Sequence, residues 1–519
     1  MPGHNVRHIQ LPSGGLVSIF KFLGRDENGD PFFKPDLLVQ REKLGPRIFL
    51  RDLEKVTSCC KVFWAVDSHL NANWHTLYAR LFDVLLTPHP SIFKRDPNFQ
   101  KLPPIYNFPF PGIKRDFVEF DQRPNKLAFV GRINDERKQR QTFAKYLQRF
   151  NCLFRECAFN EMLDLYSQTQ ILPNESIAQE FNFRIMEGAS CGCCVLTEDI
   201  GDDLAANFVP GQEVLTYKHI QELDELIKFC LAKPKIAAAI GRAAWQKVQQ
   251  AHLPEARRDT LFKVVQEATQ HDGKDDLANF ALATSQWIRS NPKSHANLPT
   301  CLKMLARAPQ NPEVQNMRLR VLAEQKDRVA GDELFGTILA RIKELANPLE
   351  DLETCVALYA YALLSDSQDL MGKLLKLLNF ADRLKLGVKL AWQLLETGRI
   401  SQTGFIFQTW QSCPQTAMEL LLTLGELPME REEKDLWNEV MQAVFDKSVN
   451  NFFTAEFQAN LCMYYPNKWQ TSFNLAYSMF KTYMLEAGLK ELKVAYDLAN
   501  SQGQLTEFQA MLRDKALHL

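Results

Sequence analysis

The chain has 519 residues, 46% of them hydrophobic and 24% charged, which is too much apolar material for a disordered protein. Lys plus Arg (61) nearly cancels Asp plus Glu (62), and a formal net charge of -1 lacks the basic footprint of a general nucleic-acid binder. At about 100–200 residues per domain, roughly three domains are expected, each able to bury a core.

The opening Met1–Arg7 has neither the apolar core nor the cleavage site of a signal peptide. The longest purely apolar run, Cys355–Leu364, is about half a membrane span, so no transmembrane segment is expected. The 12 cysteines are spread without paired spacing, which suits reduced thiols and a cytoplasmic location. Cys191, Cys193 and Cys194 have no second Cys pair or neighbouring His, and they read as buried small hydrophobes rather than metal ligands.

In chain order, the first part alternates short apolar runs with helical stretches. Strands are predicted at Val6–Leu11, Asp36–Gln40, Lys61–Val66 and Asp83–Thr87. Val62-Phe63-Trp64-Ala65-Val66 is continuously apolar, as suits a strand buried on both faces, and it stops at Asp67-Ser68-His69. The intervening lengths suit crossover helices, so residues 1–120 read as a parallel α/β, Rossmann-like domain. Such a domain should open with a strand and a Gly-containing turn. Here the chain starts at what reads as the end of the following helix, so the first strand is absent or lies upstream. Residues 103–125 carry Pro103, Pro104, Pro109, Pro111 and Pro124 with Gly112. Proline at that density breaks helices and sheets and marks a boundary.

Residues 121–270 give a cleaner alternation and a second Rossmann-like domain. Strands are predicted at Lys126–Val130, Leu153–Cys157, Thr169–Leu172, Cys194–Thr197 and Glu213–Tyr217, and helices at Phe159–Ser167, Phe183–Cys191, Ile220–Ala232 and Lys235–Ala251. From 275 to 519 the strands vanish and helix follows helix, broken at Asn291-Pro292 and Asn311-Pro312. Phe473–Tyr477 through Gly488, Leu492 and Ala495 has the small/large spacing of a tetratricopeptide-like hairpin, although no strict repeat of about 34 residues aligns. A helical-repeat domain is expected, with an irregular bundle as the alternative. The fold class is therefore α/β followed by all-α.

Ligands of open α/β sheets bind at the C-terminal strand ends, where three segments converge. Phe129-Val130-Gly131-Arg132 ends a strand in Gly-Arg, with Arg137, Lys138 and Arg140 following. Glycine admits close backbone approach and Arg suits phosphate oxygens, though basic residues after a strand are often only a solvated loop. Leu172-Pro173-Asn174-Glu175-Ser176 leads to a helix carrying Arg184 and Glu187 one turn apart. That carboxylate can accept from two ribose hydroxyls, or the two can form a plain surface pair. Asp67 and His69 end a strand facing the same place and can deprotonate or orient an acceptor hydroxyl, unless Asp67 only caps the next helix.

Phe129 to about Leu253 resembles the C-terminal domain of GT-B-fold glycosyltransferases, most of all the spore-maturation CgeB-like group. The residues that carry the resemblance are Val130-Gly131-Arg132, Arg184 with Glu187, Cys191-Gly192 and Pro210-Gly211-Gln212-Glu213-Val214. Pro111-Gly112-Ile113 and Asp67-Ser68-His69 are similar to that family's linker and N-terminal domain, so about residues 5–265 are covered. The resemblance implies that Glu187 binds the donor ribose, that Arg132 and Lys138 bind the diphosphate beside Gly131, and that Arg184 lies at the same site. Asp67 and His69 become the catalytic candidates. The larger retaining family has a second Glu eight residues before the ribose-binding one, where this chain has Gln179, with Glu180 one place on. Retaining and inverting chemistry both stay open. No Asp-x-Asp motif lies near the cleft, since Asp202-Asp203 and Asp275-Asp276 are adjacent pairs. Transfer without a metal or bound cofactor is expected.

The expected function is that of a glycosyltransferase, with a nucleotide-diphosphate-sugar donor on the second domain. The acceptor would be a glycan, lipid-linked or protein hydroxyl on the first, and a protein partner would sit on the helical repeat. The alternative is a helical-repeat scaffold carrying a degenerate transferase module.

Overall fold

Among the described residues, eleven short strands, every adjacent pair parallel, carry the α/β part of the chain. The structure, a computed structural model, describes residues 5–9, 15–24, 33–43, 48–94, 99–134, 137–176, 179–268, 276–289, 297–397 and 451–519. The strands are β1 (Gly15–Ser18), β2 (Leu37–Arg41), β3 (Ile48–Arg51), β4 (Cys60–Trp64), β5 (Val84–Thr87), β6 (Ile105–Asn107), β7 (Asn125–Val130), β8 (Leu153–Arg155), β9 (Thr169–Pro173), β10 (Cys194–Glu198) and β11 (Leu215–Tyr217). One sheet has the order β2-β4-β5-β6, a second β11-β10-β9-β7-β8, and β1 pairs with β3 alone.

Continuous apolar runs form the central strands, because helices cover both faces of a parallel sheet. Val62, Val84, Leu85, Leu172, Val195 and Leu196 are fully buried. The expected strands and helices of 121–270 all form, and the helix Ile220–Ala232 has the expected bounds. Three expectations change. At Val6–Leu11, residues 5–9 are not strand, and 10 and 11 lie outside the described residues. The pair β1–β3 was not anticipated. Nor does the Pro-rich stretch exclude sheet structure: β6 follows Pro103-Pro104 at the edge of its sheet, a position that tolerates flanking proline.

After β6 the connector joins the second half. Phe108 N–H still bonds Thr87 O (2.8 Å), whereas Gly112 N–H bonds His252 O (2.7 Å) and Ile113 N–H bonds Ser190 Oγ (3.0 Å). Arg123 is buried and donates to Val118 O, Thr169 O and Cys191 O. The free span is thus residues 109–111. The chain crosses back in the helix Pro254–Glu267, whose Leu261 and Val264 pack on Val62, Val84, Leu86 and Phe108 of the first half.

The helical region is attached at both of its ends. Ala281, Trp287, Leu305, Val314 and Val321 share a core with Phe49, Phe63, Trp74 and Tyr78, and Arg80 forks onto Glu313 (Nη1 3.1 Å, Nη2 3.2 Å). At the other end, the helices Trp469–Lys481 and Leu485–Ser501 form the hairpin expected around 473–495. Their Phe473, Phe480, Tyr483 and Leu492 join Phe129, Phe143, Leu196 and Tyr217 of the second sheet. No helix among the described residues is long and apolar enough to cross a membrane.

Helix Pro234–Ala251 packs on β10 through Gly241, where a Cβ would lie 2.5 Å from Gly192 O and 3.1 Å from Cys194 N. Backbone cannot yield as a side-chain tip can. Gly241→Ala should therefore lower stability by about 1–3 kcal/mol, the usual range for overpacking, as read by urea denaturation.

Candidate functional site

The C-terminal edges of the two large sheets face each other, and each edge places polar side chains by burying their supports. In the first half Glu42, just past β2, is almost fully buried. Its Oε2 accepts from Val66 N–H (2.7 Å) and Asp67 N–H (2.8 Å), and its Oε1 lies near Asn71 Nδ2 (2.9 Å) and His75 Nε2 (3.1 Å). Burial alone would raise this carboxyl, but His75 and the two N–H donors outweigh it and bring the pKa down to about 2. The Asp67-Ser68-His69 turn thus hangs on one carboxylate. Asp67 takes the N-cap position of helix Ser68–Tyr78, yet its side chain makes no cap bond. Burial raises its pKa above the usual carboxylate range, with Glu42 and Glu180 adding and His69 opposing.

His69 is buried at the side chain, not solvated, and its Nε2 meets Glu180 Oε2 at 2.8 Å. Burial would lower the imidazole pKa, but Glu180, then Asp67 and Glu42, bring it above its ordinary value. Nδ1 of His69 is buried with no partner in the protein. Its ring lies 5.2 Å from that of His89, whose Nε2 accepts from Phe181 N–H (2.8 Å). His89 is pushed down to about 3 by burial and by His69, so it is a neutral neighbour. Ser91 hydroxyl and N–H both bond Asp203 across the cleft, and Phe110 stacks on Phe183.

On the second half, Arg184 and Glu187 sit one turn apart on helix Phe183–Ser190 but form no ion pair, so the plain surface-pair reading fails. The Arg184 guanidinium is turned inward, donating to Val130 O from Nε (3.3 Å) and Nη2 (3.1 Å) and to Asn174 Oδ1 from Nη1 (2.7 Å). It also lies 4.2 Å from the Phe129 ring centroid. A Cβ at Gly131 would lie 3.0 Å from Arg184 Nη2, so a side chain there would press on the guanidinium. Glu187 is left without an ion-pair partner, and burial pushes it up to about 7 against the pull of Arg184. Arg132 and Lys138 are exposed. Arg132 Nε pairs with Glu156 (3.1 Å), while Lys138 Nζ lies 5.4 Å from the Phe452 ring centroid. A second buried cation here is Arg140, bonded to Glu175 at 2.7 Å, with Arg137 in electrostatic reach of both.

The structure thus brings Asp67, His69 and Glu180 together across the cleft. Gly131 follows β7 on the opposite side with the Arg184 guanidinium against it, Glu187 lies one turn further along helix Phe183–Ser190, and Arg132 and Lys138 are exposed. Sequence reasoning missed Glu42, His89 and the Arg140–Glu175 pair. Glu42 and His89 lie just past apolar strands, a usable signal, whereas the pairing of Arg140 with Glu175 is a tertiary fact. Some buried polar atoms without a partner among the described residues lie at these ends: Trp64 Nε1, His69 Nδ1, His89 Nδ1 and Asn107 Nδ2 on one side, Asn134 Oδ1, Glu175 Oε1 and Asn182 Oδ1 on the other. Each costs about 1–3 kcal/mol if left unpaired, so water or a ligand group is expected against them.

Residues 127–263 match the family model described as glycosyl transferase-like. Among solved structures, the pneumococcal O-GlcNAc transferase GtfA, in complex with UDP and GlcNAc, is similar at 14% identity and a TM-score of 0.32, over 41% of this chain and 54% of that one. The Anabaena protein HepE, in complex with UDP, is similar at 13% identity and a TM-score of 0.33, over 42% and 78%. A GtfA/B complex is similar at 11% identity and a TM-score of 0.32, over 42% of this chain, which thus spans little more than half (56%) of that relative's length. No curated protein matches the sequence.

Because Glu180 holds the His69 imidazole above its ordinary pKa, Glu180→Gln should lower that pKa, read by imidazole proton titration in NMR. An unchanged titration would mean that the two groups do not interact in solution.

Proposed function

We propose that the chain is a glycosyltransferase that moves a sugar from a nucleotide-diphosphate donor to a hydroxyl on a glycan, lipid-linked or protein acceptor. The observation that carries this reading is Glu187, a partly buried carboxyl with no ion-pair partner, inside the segment that matches the glycosyl transferase-like family. A protein keeps such a group at a cost in stability, and the cost is offset when ligand hydroxyls donate to it. The donor ribose would supply them. Gly131 would let the backbone approach the diphosphate, and Arg132 and Lys138 would turn inward to meet the charge of the leaving group.

In the transfer, the acceptor oxygen bonds the anomeric carbon as the bond from that carbon to the diphosphate oxygen breaks, and the diphosphate leaves with the electron pair. The acceptor proton passes to a base. With Nε2–H of His69 held by Glu180, Nδ1 carries the lone pair, the arrangement that suits a general base oriented by a carboxylate. Glu180 is thereby engaged by His69 rather than turned to a donor sugar. Asp67 beside it would orient the acceptor hydroxyl, and no step requires a metal. A protein partner or acceptor on the helical region would complete the arrangement.

The competing scaffold reading draws on the outward-turned Arg132 and Lys138 and on Gln179. The test is a thermal-shift and calorimetric screen with UDP, GDP, ADP, TDP and CMP and their sugar conjugates. A ligand at a hundred times its Kd should stabilise the fold by about 2.7 kcal/mol. Glu187→Ala should lose that stabilisation while folding normally, and silence across the panel would favour the scaffold. His69→Ala should lower turnover more than donor affinity, and an unaffected rate would remove His69 from the chemistry.

The pKa of Glu187 adds a check that needs no ligand. It is raised from about 4.5 to about 7, so its contribution to stability is full below 4.5 and lost as pH rises through 7. Glu187→Gln should match the wild type near pH 4 and exceed its melting temperature near pH 8.

A further inference from the structure

The turn between the helices Trp469–Lys481 and Leu485–Ser501 enters the second sheet beneath the proposed donor site. Thr482 O accepts from Thr142 Oγ1 (2.6 Å), and the Tyr483 ring lies 4.6 Å from that of Phe143. Tyr483 is buried in a left-handed conformation (φ 64°), which a bulky aromatic adopts only when its surroundings enforce it. Its hydroxyl meets Glu198 at the end of β10 and lies 3.0 Å from the Tyr217 hydroxyl, which donates to Asn174 O at 2.6 Å. Asn174 in turn accepts from Arg184 Nη1 at 2.7 Å, and Arg184 holds Val130 O just before Gly131. We infer that Tyr483, more than 280 residues along the chain from the strand end it reaches, is a positioning residue of the nucleotide site, fixing Asn174 and Arg184 through a chain of hydroxyls. This rests on the transferase reading above.

Counting protons shows what the chain requires. If Glu198 were ionised, Tyr483 would spend its single proton on it, and the Tyr217 proton goes to Asn174 O. The 3.0 Å contact between the two hydroxyls would then hold no proton. With a proton on Glu198, the carboxyl donates to Tyr483, Tyr483 to Tyr217 and Tyr217 to Asn174, and every contact is made. Burial pushes Glu198 up to about 8, consistent with that proton at neutrality. The carboxyl also accepts from the Ser176 N–H, so the same group holds the loop that carries Asn174 and Glu175.

The experiment compares the full-length wild type with Tyr483→Phe, Glu198→Gln, Glu198→Ala and Thr142→Val by calorimetric titration with UDP, or with the panel member the wild type binds. Melting curves are read in parallel. Tyr483→Phe keeps the ring and should weaken binding tenfold or more, with a folded melting transition. Glu198→Gln, whose amide can donate to Tyr483 as the protonated acid does, should stay within about threefold of wild type. Thr142→Val loosens the same docked turn outside the hydroxyl chain and should also leave affinity unchanged. Should Tyr483→Phe not fold, Glu198→Ala cuts the chain from the other end and should weaken binding likewise. Wild-type affinity in Tyr483→Phe, or an equal loss in Thr142→Val or in Glu198→Gln, overturns the inference alone. A wild type that binds none of the panel overturns the transferase reading and this inference with it.

Discussion

The inward turn of Arg184 is the interaction on which the strand ends of the second half depend. A guanidinium stays charged in a protein, so once buried it must find acceptors for its donors. Here the acceptors are neutral: Val130 O, Asn174 Oδ1 and the face of Phe129, with no carboxylate among them. The Val130–Gly131 loop, the Asn174–Ser176 loop and the start of helix Phe183–Ser190 are thereby fixed to one planar group. Because Arg184 is spent on backbone and amide oxygens, Glu187 one turn on is left uncompensated. The pull of Arg184 on Glu187 is therefore too weak to offset the burial that raises this carboxyl.

The first half solves the same problem with the opposite charge. Glu42 is buried as a carboxylate and supported by two N–H donors and His75, which locks the Val66–Asp67 turn. One buried charge therefore organises each strand edge. Polar atoms left over by the two networks, among them His69 Nδ1 and Glu175 Oε1, remain without a partner among the described residues.

What was legible in the sequence follows from the range of the forces involved. Central strands such as Cys60–Trp64 and Cys194–Glu198 read clearly, because burial on both faces leaves a continuous apolar run. Helix Ile220–Ala232 read clearly because one stripe of Ile220, Leu223 and Ile227 repeats at helical spacing. The strands β1, β3 and β6 were not legible: β1 and β3 pair only with each other outside the large sheets, and β6 follows Pro103-Pro104 in a stretch that reads as a boundary. Of the site, the residue types at the strand ends were visible: Asp67, His69, Gly131, Arg184 and Glu187. Their partners were not. His69 with Glu180 and Tyr483 with Glu198 are tertiary pairs between distant segments, and no local pattern encodes them. The exposed Arg132 and inward Arg184 differ only by which oxygens lie within reach, again a property of the fold.

The same packing decides what can move. Among the described residues no apolar core includes side chains from both large sheets: Phe63 and Trp74 belong with helices 276–325, and Leu196 and Phe129 with helices 469–517. The halves meet through His69–Glu180, His89–Phe181, Ser91–Asp203 and the stacked Phe110–Phe183 pair. Net hydrogen-bond contributions of about 0.5–1.5 kcal/mol, or about 1.5–3 kcal/mol where a charged group takes part, leave that interface weaker than either apolar core. The chain crosses between halves at residues 109–111, where two prolines flank Phe110, and again before helix Pro254–Glu267. Opening about those crossings would free His69 from Glu180 and uncover the unpartnered atoms together. On the proposed transferase reading, admission of a ligand and release of the imidazole would be one motion, and a base assembled only on closure would not act on water while the cleft stands open.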